Sequence, residues 1–181
     1  RSPKEYIESL QRISTESKRI TLLIKHLLFL SRQDKEILES TREQIDLANL
    51  MDDLSIQYPQ VIFSPDKNAG GIFVSANYQL LRIALQNFVD NARKYSKEAV
   101  EIGLFVNNGV PTIEIKDYGI GIPEEELKHI FHSFYRASNT REYKGQGIGL
   151  SLSKKILSVY GGKITIDSKV NTYTKVTVAF M

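Results

Sequence analysis

The stretch Gln86-Asn87-Phe88-Val89-Asp90-Asn91-Ala92-Arg93-Lys94-Tyr95 carries side chains suited to a phosphate and a divalent cation. At about 100° per residue on a helix, Asn87, Asn91 and Lys94 fall in one narrow sector, and Leu81, Leu85, Phe88 and Ala92 fall roughly a third of a turn away. Magnesium takes oxygen ligands, keeps several waters and is usually shared with substrate phosphates. A neutral amide oxygen can therefore hold it without adding charge beside a polyphosphate. A lysine then meets the phosphates as a point charge. An ordinary solvated helix face accounts for the same three residues, so this helix alone leaves both readings open.

Two glycine motifs follow. Asp117-Tyr118-Gly119-Ile120-Gly121 comes where a strand ends, which fixes a carboxylate at a rigid edge and follows it with two positions that allow close backbone approach. A buried aspartate there can accept a hydrogen bond from an exocyclic amino group such as that of adenine. A tight turn closed by an Asx-type bond explains the pentapeptide equally. Gly145-Gln146-Gly147-Ile148-Gly149-Leu150 lies directly before a helix, where backbone N–H groups and the helix dipole favour phosphate. It lacks the Lys-Ser or Lys-Thr of a Walker loop. Leu150 also stands where the Rossmann fingerprint needs its third glycine.

The elements that must position these residues are readable around them. Ser2-Pro3-Lys4-Glu5 has the form of a helix start, and Tyr6, Leu10, Ile13, Ser17, Ile20, Ile24, Leu27 and Ser31 recur at spacings of three and four. That is a coiled-coil seam, which predicts pairing with other helices over residues 1–34, with packing against its own domain as the other reading. Residues 35–45 read as a linker or edge strand, and Asp46 as the cap of a second helix, with Ile45 and Leu50 spaced as a hydrophobic staple. Short strands are expected at 61–63 and 72–74, with Ser75 capping the long helix that carries Asn87 and Asn91. Asn107-Asn108-Gly109 predicts a hairpin between strands at 100–106 and 112–116. A helical turn is expected after Pro123, a helix at 148–160 stopped by Gly161-Gly162, and strands at 163–168 and 174–180. The expected class is α+β: residues 46–181 as a two-layer sandwich of helices on a sheet, preceded by a long coiled-coil helix.

Composition narrows the function. The 181 residues include 41% hydrophobic ones, normal for a globular domain, and the net charge of +3 comes from 24 Lys and Arg against 21 Asp and Glu. No basic run or aromatic-interleaved basic stripe marks a nucleic-acid partner, so none is expected. The absence of cysteine excludes disulfides and thiolate metal sites. The longest apolar run, Ile20 to Leu30, is broken by Lys25 and His26 and is too short to span a bilayer, and no signal peptide is visible. Any membrane attachment is expected through other parts of a parent protein.

The order of these motifs resembles the ATP-binding domain of the GHKL superfamily, with its Bergerat fold, and specifically the sensor histidine kinases of two-component systems. The resemblance covers roughly residues 46–181. Asn87 to Tyr95 is similar to that family's N box, Asp117 to Gly121 to its first glycine box, and Gly145 to Leu150 to its second. Phe131-His132-Ser133-Phe134-Tyr135-Arg136 is similar to its F box. The resemblance implies magnesium at Asn91 and Asn87, phosphates at Lys94, the nucleotide lined by Tyr95, and the adenine amino group read by Asp117. It likewise implies nucleotide contacts at Gly119, Gly121, Gly145, Gly147, Gly149 and Leu150. It implies a lid between Ile122 and Gln146, with Arg136 meeting the terminal phosphate; Arg141 and Lys144 in the same lid read as solvated charges. It further implies ATP and Mg2+ as cofactors, a homodimer through a helical hairpin, a cognate response regulator as partner and a cytoplasmic location.

Residue 87 separates reaction types within the superfamily. Clamp-type ATPases keep a glutamate one turn before the second N-box asparagine as general base for water; Asn87 cannot accept that proton, and Asp90 lies about 100° round the helix. The family's phosphoacceptor histidine is followed by an acidic residue and an Arg/Lys-Thr/Asn-Pro pattern. None of His26, His129 and His132 has it, and the first hairpin helix is expected to be missing, so autophosphorylation of these residues alone is not expected. Gln146 stands where the family often has Thr or Ser, and Asn171-Thr172-Tyr173-Thr174 replaces a late Gly-Thr turn. The alternatives are another GHKL enzyme, either a serine-directed protein kinase or a clamp ATPase, and a non-catalytic ATP-binding interaction module.

Overall fold

The computed structural model describes residues 3–31, 42–58, 60–66 and 71–181, which fall into two compact units, Arg1–Gln33 and Asp34–Met181. The first unit is a single helix, α1 (Pro3–Ser31), of 29 residues. Its seam lies on the surface: Tyr6, Leu10, Ile13, Ile20 and Ile24 each expose half or more of their area. The Ser2 cap lies outside the described residues, as do the side chains of Glu5 and His26.

In the second unit, β1 (Glu43–Asp46) pairs antiparallel with β3 (Phe73–Ala76), from Glu43 opposite Ala76 to Asp46 opposite Phe73. Of the two readings of this stretch, linker or edge strand, its last residues take the second. Glu43, Gln44 and Ile45 are strand, because Ile45 turns inward to a buried position while its two predecessors stay exposed; residues 35–41 are outside the described set. Asp46 does cap α2 (Leu47–Gln57), accepting from Ala48 N at 2.8 Å. Asp46→Ala is expected to cost about 1 kcal/mol of stability, read as a lower urea midpoint at unchanged slope.

The expected cap of the long helix is corrected. Ser75 pairs with Gln44 inside β3, so α3 (Tyr78–Tyr95) starts only after that ladder ends, and Asn77 caps it by accepting from Leu80 N at 3.1 Å. Beyond α3 the chain runs through β4 (Val100–Asn107), β5 (Val110–Asp117), α4 (Gly149–Val159), β6 (Gly162–Lys169) and β7 (Tyr173–Phe180). With β2 (Val61–Pro65) these strands form a five-stranded mixed sheet in the order β2-β4-β5-β7-β6, in which only the β2–β4 pair is parallel. The β4–β5 hairpin turns at Asn108 and Gly109, both at positive φ, as a two-residue turn of that hand requires.

Alternation decides which face is covered. Ile102, Leu104, Ile113, Ile115, Val176 and Val178 point into the core against Leu54 of α2, Leu81, Leu85 and Phe88 of α3 and Ile156 of α4, all nearly fully buried except Val176 at 8% exposure. The opposite face carries Glu101, Glu114, Lys116 and Lys175, with Lys175 3.4 Å from Glu114. The result is the expected two-layer α+β sandwich, helices on one face of the sheet. No helix among the described residues is long and apolar enough to cross a membrane.

Candidate functional site

Burial of Leu81, Leu85, Phe88 and Ala92 orients α3, and Asn87, Asn91 and Lys94 are left half-buried on its remaining face. The Asn87 amide is not free: Nδ2 donates to Ser153 Oγ at 3.1 Å and to the Gly149 carbonyl at 3.3 Å. A carbonyl only accepts, so the nitrogen must face α4, and Oδ1 is the atom left for a cation. Ser153 in turn donates to the Ala84 carbonyl at 2.8 Å, so α3 and α4 are stitched at the level of Asn87. Asn91 makes no side-chain hydrogen bond among the described residues. Lys94 Nζ donates to Tyr95 Oη at 2.8 Å and stands 4.4 Å from the Tyr95 ring centroid. Asp90 faces elsewhere, as its angle round the helix requires, and accepts from Tyr58 Oη at 2.8 Å.

Asp117 ends β5 with 6% of its area exposed. Its Oδ1 accepts from Gly119 N at 3.0 Å, so the Asx turn exists, while Oδ2 takes no hydrogen bond among the described residues. Burial drives its carboxyl up to about 6, against the opposing pull of the Gly119 N–H. Oδ2 is not sealed from solvent, and stands as an acceptor open to a ligand donor at the edge of the sheet.

The glycines are where backbone meets backbone. A Cβ on Gly119 would stand 2.2 Å from the Tyr95 carbonyl, and one on Gly121 (φ +64°) 2.3 Å from the Lys169 carbonyl. Ile120 N donates to Tyr95 O at 3.2 Å and Ile120 O accepts from Asn171 N at 2.9 Å, which ties this loop to the end of α3 and to the β6–β7 turn. Asn171 takes the left-handed backbone there (φ 55°), so the turn lacking a glycine still forms. Gly147 (φ +70°) lies where a Cβ would meet the Tyr135 carbonyl at 2.4 Å, and its own carbonyl accepts from Phe134 N at 2.8 Å. Gly145 abuts Lys94 Nζ, 2.6 Å from where a Cβ would be, and Gly149 adjoins Asn87. Leu150 sits in the first turn of α4, whose start at Ile148 has no side-chain cap. Its first N–H groups are thus left to an anion.

Asn87, Asn91, Lys94, Tyr95, Asp117 and the two glycine loops are thereby joined at the end of α3, the end of β5 and the start of α4. The sequence model of the family described as Histidine kinase-, DNA gyrase B-, and HSP90-like ATPase matches residues 76–181. The chain belongs to that family. The Signal transduction histidine-protein kinase ArlS of Staphylococcus haemolyticus is 34% identical over 188 residues, taking in 99% of this chain and 42% of ArlS. The chain spans less than half the length of the curated relatives it matches. Among solved structures, the Acinetobacter baumannii histidine kinase AdeS shares the fold at a TM-score of 0.74 and 18% identity, covering 94% of this chain and 82% of that one. Full-length ShkA in complex with AMPPNP does so at 0.80 and 17%, covering 98% of this chain and 38% of that one.

Between Ile122 and Gln146 this family member holds residues that periodicity could not single out. Glu126 accepts from Tyr135 Oη at 3.0 Å and from Ser138 N at 2.9 Å; these bonds, with the Ser138 hydroxyl foremost, lower its carboxyl pKa. Asn139 Nδ2 donates to the Gly121 carbonyl at 2.9 Å. Arg136 directs Nη2 to the carbonyls of Thr140 and Tyr143. The Tyr143 ring meets Tyr95 edge-on at 5.0 Å. Arg141 and Lys144 are exposed, as solvated charges are, and the rings of His129 and His132 lie 5.4 Å apart. Among the described residues no group of three or more His, Asp or Glu can hold a metal.

Proposed function

We propose that this chain is the ATP-binding catalytic part of a two-component sensor histidine kinase, donating the terminal phosphoryl group of magnesium ATP to a histidine other than His26, His129 and His132. The observation that carries the reading is Asp117, a buried carboxylate with one oxygen unbonded beside a loop whose glycines leave no room for side chains. The likeness to ArlS and the AMPPNP complex of ShkA, which shares the fold, support it.

In this reading Asp117 accepts from the adenine amino group and Tyr95 lines the base. Lys94 exchanges its bond to Tyr95 Oη for one to the phosphates, and the uncapped N–H groups of α4 with the flanking glycines receive the remaining phosphate oxygens. Asn91 and Asn87 Oδ1 fit a magnesium ion, being neutral oxygen donors, one of them unpartnered and the other oriented by its bond to Gly149. Bound there, magnesium would supply charge neutralisation on the transferring group. The protein's own share is positioning and fixed dipoles, as in other phosphoryl transfers. Hydrolysis is disfavoured, because Asn87 is an amide whose nitrogen is spent on α4. The partners follow from the class: a second copy through the helical hairpin that α1 would complete, a response regulator, and a cytoplasmic setting with any membrane attachment through the rest of the parent protein.

Calorimetry with ATP and magnesium tests this. Asn91→Ala is expected to weaken magnesium ATP by about 10- to 100-fold, the worth of one ligand to a charged group. It should change binding in the absence of magnesium far less. No binding of magnesium ATP by the wild type would refute the reading. Stable transfer of radiolabel from ATP onto His26, His129 or His132 would refute the placement of the acceptor.

A further inference from the structure

Asn87 sits where α3 meets α4, and the two groups that α4 turns toward it are both acceptors. Its Nδ2 donates to the Gly149 carbonyl at 3.3 Å and to Ser153 Oγ at 3.1 Å. Ser153 is fully buried, and its one hydroxyl proton crosses to the Ala84 carbonyl of α3 at 2.8 Å. A serine that has spent its proton can only accept, so Oγ presents a lone pair to the side chain at position 87. The Ala84 carbonyl lies inside α3 and is already served by the helix ladder, from Phe88 N one turn on. The Ser153 hydroxyl is therefore not needed to satisfy a buried carbonyl; what the bond does is aim the hydroxyl. Meanwhile Oδ1 of Asn87 takes no hydrogen bond among the described residues. Gly149 leaves that oxygen uncovered, since a Cβ there would stand 3.5 Å from it.

We propose that Ser153 is a positioning residue for the cation side of the site. It fixes the turn of the Asn87 amide, and so sets the Oδ1 ligand in register with the first turn of α4. The proposal rests on the nucleotide reading above. With none of its area exposed, Ser153 acts through Asn87. Without the hydroxyl, the Gly149 carbonyl alone holds Nδ2, and the amide swings more freely.

Two measurements test it. In nucleotide-free wild type, nuclear magnetic resonance should show a side-chain amide proton of Asn87 exchanging with solvent about tenfold more slowly than those of Asn108, which is exposed in the β4–β5 turn. Asn87→Ala identifies the signal. Ser153→Ala should cut that protection by roughly threefold to tenfold, the worth of one hydrogen bond. By calorimetry the same variant should weaken magnesium ATP by that factor and change binding of ATP without magnesium by less than about twofold. Added to Asn87→Ala, it should weaken magnesium ATP by less than about twofold, because its route through the amide is gone. A wild-type Asn87 amide that exchanges as fast as that of Asn108 would overturn the proposal even if Ser153→Ala failed to fold. Equal losses from Ser153→Ala in the wild-type and Asn87→Ala backgrounds, or with and without magnesium, would make Ser153 a packing residue and overturn it too. Wild-type protein that binds no nucleotide while Ser153→Ala still frees the amide would overturn the nucleotide reading and leave the seat of Asn87 standing, so the two failures are distinguishable.

Discussion

Asp117→Asn should raise the melting temperature at pH 7.5 while weakening magnesium ATP. The carboxyl's pKa rises from the ordinary 3.8 to about 6 on folding, so the folded protein holds that proton more tightly than the unfolded chain does. The group therefore favours folding fully below 3.8, and that contribution is lost as pH rises through about 6. At pH 7.5 the fold carries the whole cost of an ionised buried carboxylate, about 3 kcal/mol for a two-unit gap. Asparagine keeps the Oδ1 bond to Gly119 N and removes the charge, but turns an amide N–H2 toward the position of Oδ2. A net gain of about 1–2 kcal/mol then raises the melting temperature by about 3–6 °C. The gain should fade between pH 6 and pH 4, as the wild-type carboxyl becomes protonated in the fold. Binding moves the other way. The acceptor for the base is no longer charged, and affinity should fall by about 10- to 100-fold. Thermal scans across pH 4–8 and calorimetry on the same samples check both halves, and a lower melting temperature at pH 7.5 would mean that Asp117 stabilises the fold by itself.

Gly121→Ala should cost several times more than Gly109→Ala, although both glycines have positive φ. Gly109 (φ +80°) has nothing within 4 Å of where a Cβ would be, so alanine there bears only the left-handed backbone, about 1–2 kcal/mol. Gly121 (φ +64°) adds a Cβ 2.3 Å from the Lys169 carbonyl, and that backbone is fixed by the β6–β7 ladder. Relief requires the Ile120–Asn171 and Ile122–Ser168 bonds to break, which brings the expected loss to about 4 kcal/mol or more. Urea denaturation of the pair compares the two positions on one scale. Similar losses would mean that the loop can move away from Lys169.

Much of the architecture was legible because it rests on local chemistry. Asp46 caps α2 because a carboxylate one residue before a helix reaches its free N–H groups, and Asn108-Gly109 turns the hairpin because those residues tolerate positive φ. Strands at 100–106 and 112–116 were legible on either side of that turn, and pairing carries them on to Asn107, back to Val110 and forward to Asp117. Ser75 was misread because a serine suits a cap equally well wherever it stands, and only the pairing of β3 with β1 shows that the strand has not ended. Residues 43–45 stayed open between linker and edge strand, since a short edge strand has too few residues to show its period. At the site, the residue types and their order pointed to phosphate and magnesium chemistry, but not to the bonds each residue makes.

By itself the sequence determined which side chains α3 can present and where the backbone must be glycine, since both follow from helical period and from steric limits within a few residues. Tertiary structure alone decided which atom of Asn87 remains free, because its partners Gly149 and Ser153 are 62 and 66 positions away. It alone set the Asp117 carboxyl near 6, because desolvation depends on everything packed round it. It alone turned Arg136 toward Thr140 and Tyr143, because a flexible cation in an irregular loop takes its geometry from the carbonyls that the surrounding fold brings within reach.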